Sequence, residues 1–233
     1  MNYKRPKNLL SKGSTNSKTA KNTLDTFILY IAPYNLNDKG QNLCPKASAG
    51  CAAACLYSAG RGKFSNVQQS RINKANYYVY DRFNFLAQLS DEIDAINKKA
   101  EKQNKKVAIR LNGTSDLPFY EMLNADKRNW KQIIFYDYTK IPKKAIKHLQ
   151  SPNYHVCFSL NEENREDAFE LLKHGVNIAA VFKGELPTSY KGFEVVDADQ
   201  HDMTMCFNSG KILGLRAKGD AKKDTTGFVI TDY

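Results

Sequence analysis

Apolar positions along this chain follow two rhythms, and the change from one to the other marks out the elements. Thr26–Ala32 is an unbroken apolar and aromatic run closed by Pro33, the pattern of a strand buried on both faces. From Phe64 to about Asp81 the spacing becomes helical, with Ile72, Ala75, Val79, Phe83 and Leu86 at three- and four-residue steps. A second helical stretch runs to about Gln103 on the stripe Leu86, Leu89, Ile93, Ile96 and Ala100, and the break between the two is expected near Asp81–Phe83. Strand-like and helix-like segments then alternate. Val107–Leu111, Gln132–Tyr136, Tyr154–Leu160 and Ile178–Phe182 read as strands. Leu117–Leu123, Lys143–Leu149 and Asn164–His174 read as the helices between them, the last closed by Gly175 in the C-cap position. Phe193–Val196, Ile212–Leu215 and Phe228–Thr231 have the look of three further short strands.

Alternation at this spacing predicts parallel βαβ units. Counting from Thr26 gives about five parallel strands, too few for an eight-stranded barrel. The expected fold is therefore α/β, a partial or open (βα) barrel of parallel strands with a cysteine-rich cluster loop after the first strand. Residues 25–233 read as a single domain, and residues 1–24, rich in Lys, Asn, Ser and Thr and without a period, as an irregular, flexible basic segment.

Charge sharpens that division. The net charge is +11, and Lys4, Arg5, Lys7, Lys12, Lys18 and Lys21 supply six of those charges with no acid among them. The basic segment is thus the expected contact for a nucleic acid or a host protein. The longest apolar runs, such as Phe27–Pro33, are far too short to span a bilayer, and no apolar stretch follows the basic N-terminus as a secretory leader requires. The expectation is a cytoplasmic protein with no membrane partner.

Candidate chemistry is concentrated in one place. Of the five cysteines, Cys44, Cys51 and Cys55 fall within a twelve-residue segment. An odd number so clustered argues for metal or redox chemistry over a disulfide framework. On a helix, Cys51 and Cys55 would share one face a turn apart, and Cys44, ahead of Pro45, can fold back from the loop. The neighbours Ala47, Ser48, Ala49, Gly50 and Ala52–Ala54 are small, which lets backbone approach an inorganic cluster and its N–H groups bond the sulfurs. Structural zinc sites favour paired ligands at short spacing, and no second pair is present. The reading is an iron–sulfur cluster, 4Fe–4S or 3Fe–4S, held by Cys44, Cys51 and Cys55. Zinc and plain buried thiols are the alternatives. Cys206, Cys157 and His201 are candidates for a fourth ligand, the remaining option being an iron open to a small molecule.

Cys44-Pro45 through Cys51 and Cys55, then Gly60-Arg61-Gly62 and Arg71-Ile72-Asn73, resemble the phage gene product 88 family. So does the C-terminal part, Asp197–Asp202 followed by Gly214-Leu215-Arg216-Ala217-Lys218-Gly219. The resemblance covers most of residues 25–219 and implies a phage origin, hence a host-cell location. It implies no activity, because that family is largely uncharacterised. The layout is also similar to radical S-adenosylmethionine enzymes, in which a cluster loop follows the first strand of a partial barrel and three cysteines leave one iron open. That likeness implies S-adenosylmethionine as a further cofactor. The cysteine gaps here, six residues and then three, are both longer than those enzymes use.

In parallel βα architectures function gathers at the carboxyl ends of strands. The loop after Val107–Leu111, with Asn112, Ser115 and Asp116, is expected there as part of a small-molecule pocket, or else as a helix cap. Arg216 and Lys218 alternate with Leu215 and Ala217 and would together face an anion. Asp197, Asp199, His201 and Asp202 form an acidic run that would bind a hard cation or simply be solvated. Two functions follow: a cluster protein with redox or radical chemistry on a small molecule, or a phage binding protein with a structural metal that engages nucleic acid or a host factor.

Overall fold

The computed structural model describes residues 3–15 and 24–233. Among these, ten strands form one mixed sheet: β1 (Leu10–Lys12), β2 (Asp25–Leu29), β3 (Val107–Arg110), β4 (Ile133–Thr139), β5 (Tyr154–Ser159), β6 (Ile178–Phe182), β7 (Ser189–Tyr190), β8 (Phe193–Asp197), β9 (Ile212–Arg216) and β10 (Val229–Ile230). The spatial order is β1-β2-β3-β4-β5-β6-β9-β8-β7. Only β1–β2 and β7–β8 are antiparallel. The register is continuous through the centre: Phe27 faces Ile109, Ile109 faces Phe135, and Tyr138 faces Cys157. β5 pairs with the start of β6 through Phe158 and Ser159, and β10 pairs with its end through Val229 and Ile230. The strand path begins at β1 and ends at β7, so the sheet is open. The barrel part of the expected fold is not seen.

The helices are α1 (Ala49–Ala53), α2 (Ser65–Tyr80), α3 (Arg82–Lys102), α4 (Phe119–Met122), α5 (Pro142–Lys147), α6 (Arg165–Lys173) and α7 (Thr204–Phe207). From β2 to β6 each strand lies beside its predecessor in sequence. Crossovers of one hand between strands in that order put their helices on one face. Strand alternation shows the result. Leu29, Ile109, Phe135 and Tyr154 pack with α2, α3 and α4 through Ala75, Phe85, Leu89 and Phe119. Phe158, Ile178, Phe182 and Ile212 pack with α5 and α6 through Ala145, Ala168 and Leu172. Ala108, Tyr136, Cys157, Ala179 and Leu213 point to the other face, where Ala198, Met203 and Met205 cover them.

The expected break between the long helices falls at Asp81, whose carboxylate accepts from Asn84 N at 3.3 Å and caps α3. Gly175, at φ +89°, closes α6 as expected. The N-terminal segment departs from its irregular reading. Glu92 accepts from the backbone N of Leu9 at 2.7 Å and of Leu10 at 2.9 Å, and Lys74 Nζ donates to Leu9 O at 2.6 Å. Leu9 is fully buried, and the Tyr3 ring stacks on Tyr77 with centroids 4.9 Å apart. Leu9, Leu10 and Tyr3 thus anchor a polar segment over α2 and α3. Lys18 and Lys21 of the basic segment lie outside the described residues.

Candidate functional site

The carboxyl ends of four parallel strands converge on the cysteine segment. After β2 the chain turns at Pro33-Tyr34 and returns so that Leu43 N donates to Tyr34 O at 3.1 Å. After β3, Asp116 N donates to Leu43 O at 3.0 Å, and Cys44 Sγ donates to Thr114 O at 3.5 Å. After β4, the Lys140 ammonium lies near enough to Cys55 to favour its thiolate. After β5, Glu162 accepts from Gly50 N at 2.7 Å and from Ser48 Oγ at 2.8 Å. Ser48 also caps α1, accepting from Cys51 N at 3.2 Å. On the remaining side Cys51 and Ala54 pack against Ala217, Ala221, Phe228 and Val229.

Close packing explains the small residues. A Cβ on Gly50 would lie 2.1 Å from Thr226 Oγ1 and 2.7 Å from Phe228 Cβ. A Cβ on Gly62 would lie 2.5 Å from Tyr57 O. The turn carrying Gly62 lets Arg71 reach in: its guanidinium sits over the Tyr30 ring at 4.6 Å and its Nη1 donates to Tyr57 O at 3.4 Å.

One expectation is corrected here. Cys51 and Cys55 do not share a continuous helix. α1 ends at Ala53, and Cys55 has the extended angles φ −60° and ψ 133°. Its Sγ accepts from Tyr57 N at 3.4 Å and so caps the next, tighter turn. The alanines favour helix, but a five-residue helix is too short for propensity to carry it further against that competing cap.

The thiols are electrostatically in touch. Burial pushes Cys44 up to about 12, with the backbone N–H of Tyr34 pulling against it and Cys55, Asp116 and Cys51 adding to it. Burial also raises Cys55; the N–H of Tyr57, the Tyr34 hydroxyl and Lys140 oppose this, and Cys51 adds to it. The Tyr34 hydroxyl approaches Cys51 Sγ at 3.9 Å, and its own ionisation is suppressed by burial and by all three cysteines. Cys44 and Cys55 thus both resist ionising, each beside the other sulfurs. Such a group gains from a bound cationic centre, which removes both the desolvation and the repulsion penalty. Among the described residues, no group of three or more His, Cys, Asp and Glu side chains is set to hold a single metal ion.

The other predicted residues are placed as follows. Asn112, Ser115 and Asp116 do lie beside the cysteines, but their polar atoms engage one another and the scaffold. Asn112 Oδ1 accepts from Ser115 Oγ at 2.9 Å and Leu117 N at 2.8 Å, and Nδ2 donates to buried Asp137 at 3.1 Å. Asp116 accepts from Thr139 Oγ1 at 2.9 Å, Lys140 N at 2.8 Å and Lys144 Nζ at 3.3 Å. Arg216 and Lys218 pair with the acidic run: Arg216 Nη1 lies 2.9 Å from Asp197, and Lys218 Nζ lies 2.6 Å from Asp199. Asp202 lies 3.7 Å from Arg110 Nη1 and accepts from Tyr136 at 3.5 Å. Cys157 and Cys206 belong to the apolar cluster on the opposite sheet face, where burial and then Asp202 raise Cys206 to about 12. The buried Nδ1 of His201 has no hydrogen-bond partner among the described residues. Tyr34, Lys140 and Glu162 were not singled out by sequence. Their positions at turns after strands were the one available signal.

A family model described as Gene product 88 matches residues 4–232, which takes in the cysteine segment, the Arg71 turn and the Leu215–Gly219 motif that packs beside it. The chain belongs to the phage gene product 88 family. No curated protein and no solved structure matches it. In this gene product 88 protein the two sequence-distant motifs meet in space, since a Cβ on Gly219 would contact Ala59 Cβ at 3.9 Å. No helix among its described residues is long and apolar enough to cross a membrane.

Proposed function

We propose that this gene product 88 protein holds an iron–sulfur cluster on Cys44, Cys51 and Cys55 and performs redox or radical chemistry on a small molecule at the carboxyl edge of its sheet. The observation that carries the reading is the gathering of three half-buried thiols near Tyr34, at the edge where four parallel strands end. A single tetrahedral zinc ion holds thiolate sulfurs at about 2.3 Å from one centre. A cluster distributes its thiolates over separate iron atoms and so accepts a wider triangle of ligands. The donor set fits that chemistry: thiolate ligands, small neighbours around the segment, and backbone N–H groups at Tyr34 and Tyr57 directed at sulfur. When bound, the cluster would supply one-electron transfer. Arg71 and Lys140 are the nearby cations that would offset its negative charge. Substituting Cys44, Cys51 or Cys55 by Ser should each abolish the broad visible absorption of anaerobically prepared protein. Substituting Cys157 or Cys206 should leave it intact, because those thiols belong to the opposite face.

A second reading is a binding protein for nucleic acid. The run from Lys39 to Tyr80 contains no acidic residue and exposes Lys46, Arg61 and Lys63. Binding of single-stranded DNA would then weaken steeply with salt, in proportion to the phosphates neutralised. No binding at low salt removes this reading.

A further inference from the structure

Tyr34 is unusual in both its backbone and its surroundings. Its φ is +50°, in the left-handed region that an aromatic side chain enters at a cost. That conformation is fixed on both sides, by Leu36 N donating to Pro33 O at 3.2 Å and by Leu43 N donating to Tyr34 O at 3.1 Å. It sends the two donors of one residue in useful directions. The backbone N–H is directed at Cys44 Sγ. The hydroxyl donates to Cys51 Sγ at 3.9 Å and lies near enough to Cys55 to favour its thiolate. Strained backbone held in place by its surroundings is a mark of function when the strain sets a group against a reactive centre.

We infer that Tyr34 is a positioning residue of the cysteine centre, donating hydrogen bonds to its thiolate sulfurs and thereby setting the reduction potential of the cluster they hold. The inference rests on the cluster reading above. Hydrogen bonds to ligand sulfur stabilise the more negative, reduced state and so raise the potential. Phenylalanine at this position keeps the ring and removes only the hydroxyl donor.

The test uses the full chain reconstituted anaerobically with iron and sulfide. Iron content is measured first on the unmodified protein, then the midpoint potential of three forms: unmodified, Y34F, and protein carrying 3-fluorotyrosine at position 34. Y34F should bind as much iron as the unmodified chain and be harder to reduce by about tenfold in the one-electron equilibrium, about 59 mV. Fluorotyrosine, a stronger donor of the same shape, should shift the potential the opposite way. An iron-loaded Y34F with unchanged potential overturns the role of Tyr34 while leaving the cluster intact. If Y34F loses its iron, the fluorotyrosine form decides: a raised potential supports the inference and an unchanged one overturns it. Absence of iron from the unmodified protein overturns the cluster reading and this inference with it.

Discussion

Replacing Gly50 by alanine tests whether the cysteine segment is packed as tightly as the structure shows. The added methyl would stand 2.1 Å from Thr226 Oγ1, 2.7 Å from Glu162 Oε1 and 2.7 Å from Phe228 Cβ. All three lie well inside van der Waals contact, and two of them are fixed. Glu162 is held by Gly50 N and Ser48 Oγ, and Phe228 is part of a buried cluster. Overpacking of this kind costs about 1–3 kcal/mol. Alanine in place of a helical glycine returns up to about 1 kcal/mol. The net expectation is a loss of about 1–2 kcal/mol, measured by urea unfolding of the metal-free protein followed by circular dichroism. Because Cys51 follows directly, its thiol should also react faster with a disulfide reagent. Thr226→Ala removes the nearest obstacle, so the double variant should be more stable than the two single losses predict, with a coupling of about 0.5–2 kcal/mol. A G50A protein as stable as the unmodified one, with unchanged thiol reactivity, would refute the close approach of α1 to the C-terminal segment.

Two further perturbations probe the scaffold beneath the site. Burial favours protonation of Glu121, but hydrogen bonds from His148, Lys147 and the backbone outweigh it and bring the carboxyl down to about 2 from an ordinary 4.5. A depressed acid contributes stability that is present above the unfolded-state value and lost as pH falls toward the folded one. Stability should therefore drop between about pH 4.5 and pH 2 by on the order of 1–3 kcal/mol, and E121Q should flatten that slope in unfolding curves taken across the range. Asn112→Ala would leave Leu117 N, Leu117 O, the Ser115 hydroxyl and one contact of Asp137 without this partner in a buried network. Urea unfolding should show a loss of about 2–4 kcal/mol; a loss below about 1 kcal/mol means water replaces the amide and the loop is not held as described.

The helical layer and the central strands were legible in sequence because each depends on local pattern. The stripe through Leu89, Ile93 and Ala100 is buried as its period requires. The runs at β4, β5 and β6 were bounded by polar or glycine-containing turns. β1 was not legible: three residues carry no period, and the strand exists because Glu92 and Lys74, more than sixty residues away, satisfy the peptide groups beside it. An open sheet was expected from the small number of parallel strands and is found, whereas the barrel curvature expected with it is not seen, since strand count and order do not fix curvature. At the candidate site, the cysteines and the loop at 112–116 were correctly brought to one edge by the rule for parallel strands. What sequence could not supply was the internal pairing of that loop, where Asn112 and Asp116 bond the scaffold, or the pairing of Arg216 and Lys218 with Asp197 and Asp199. Such pairings depend on register between distant strands. Tyr34 was missed because a tyrosine after a proline in a loop has no distinguishing pattern. Its left-handed backbone is visible only in three dimensions.

The central claim is that Cys44, Cys51 and Cys55 hold an iron–sulfur cluster, and the most direct measurement is the iron and acid-labile sulfide content of protein purified without oxygen. The account predicts about four irons and four sulfides per chain, or about three irons where the site lacking a cysteine ligand has been lost. A chain that carries zinc, or that remains free of metal after reconstitution with iron and sulfide, contradicts it.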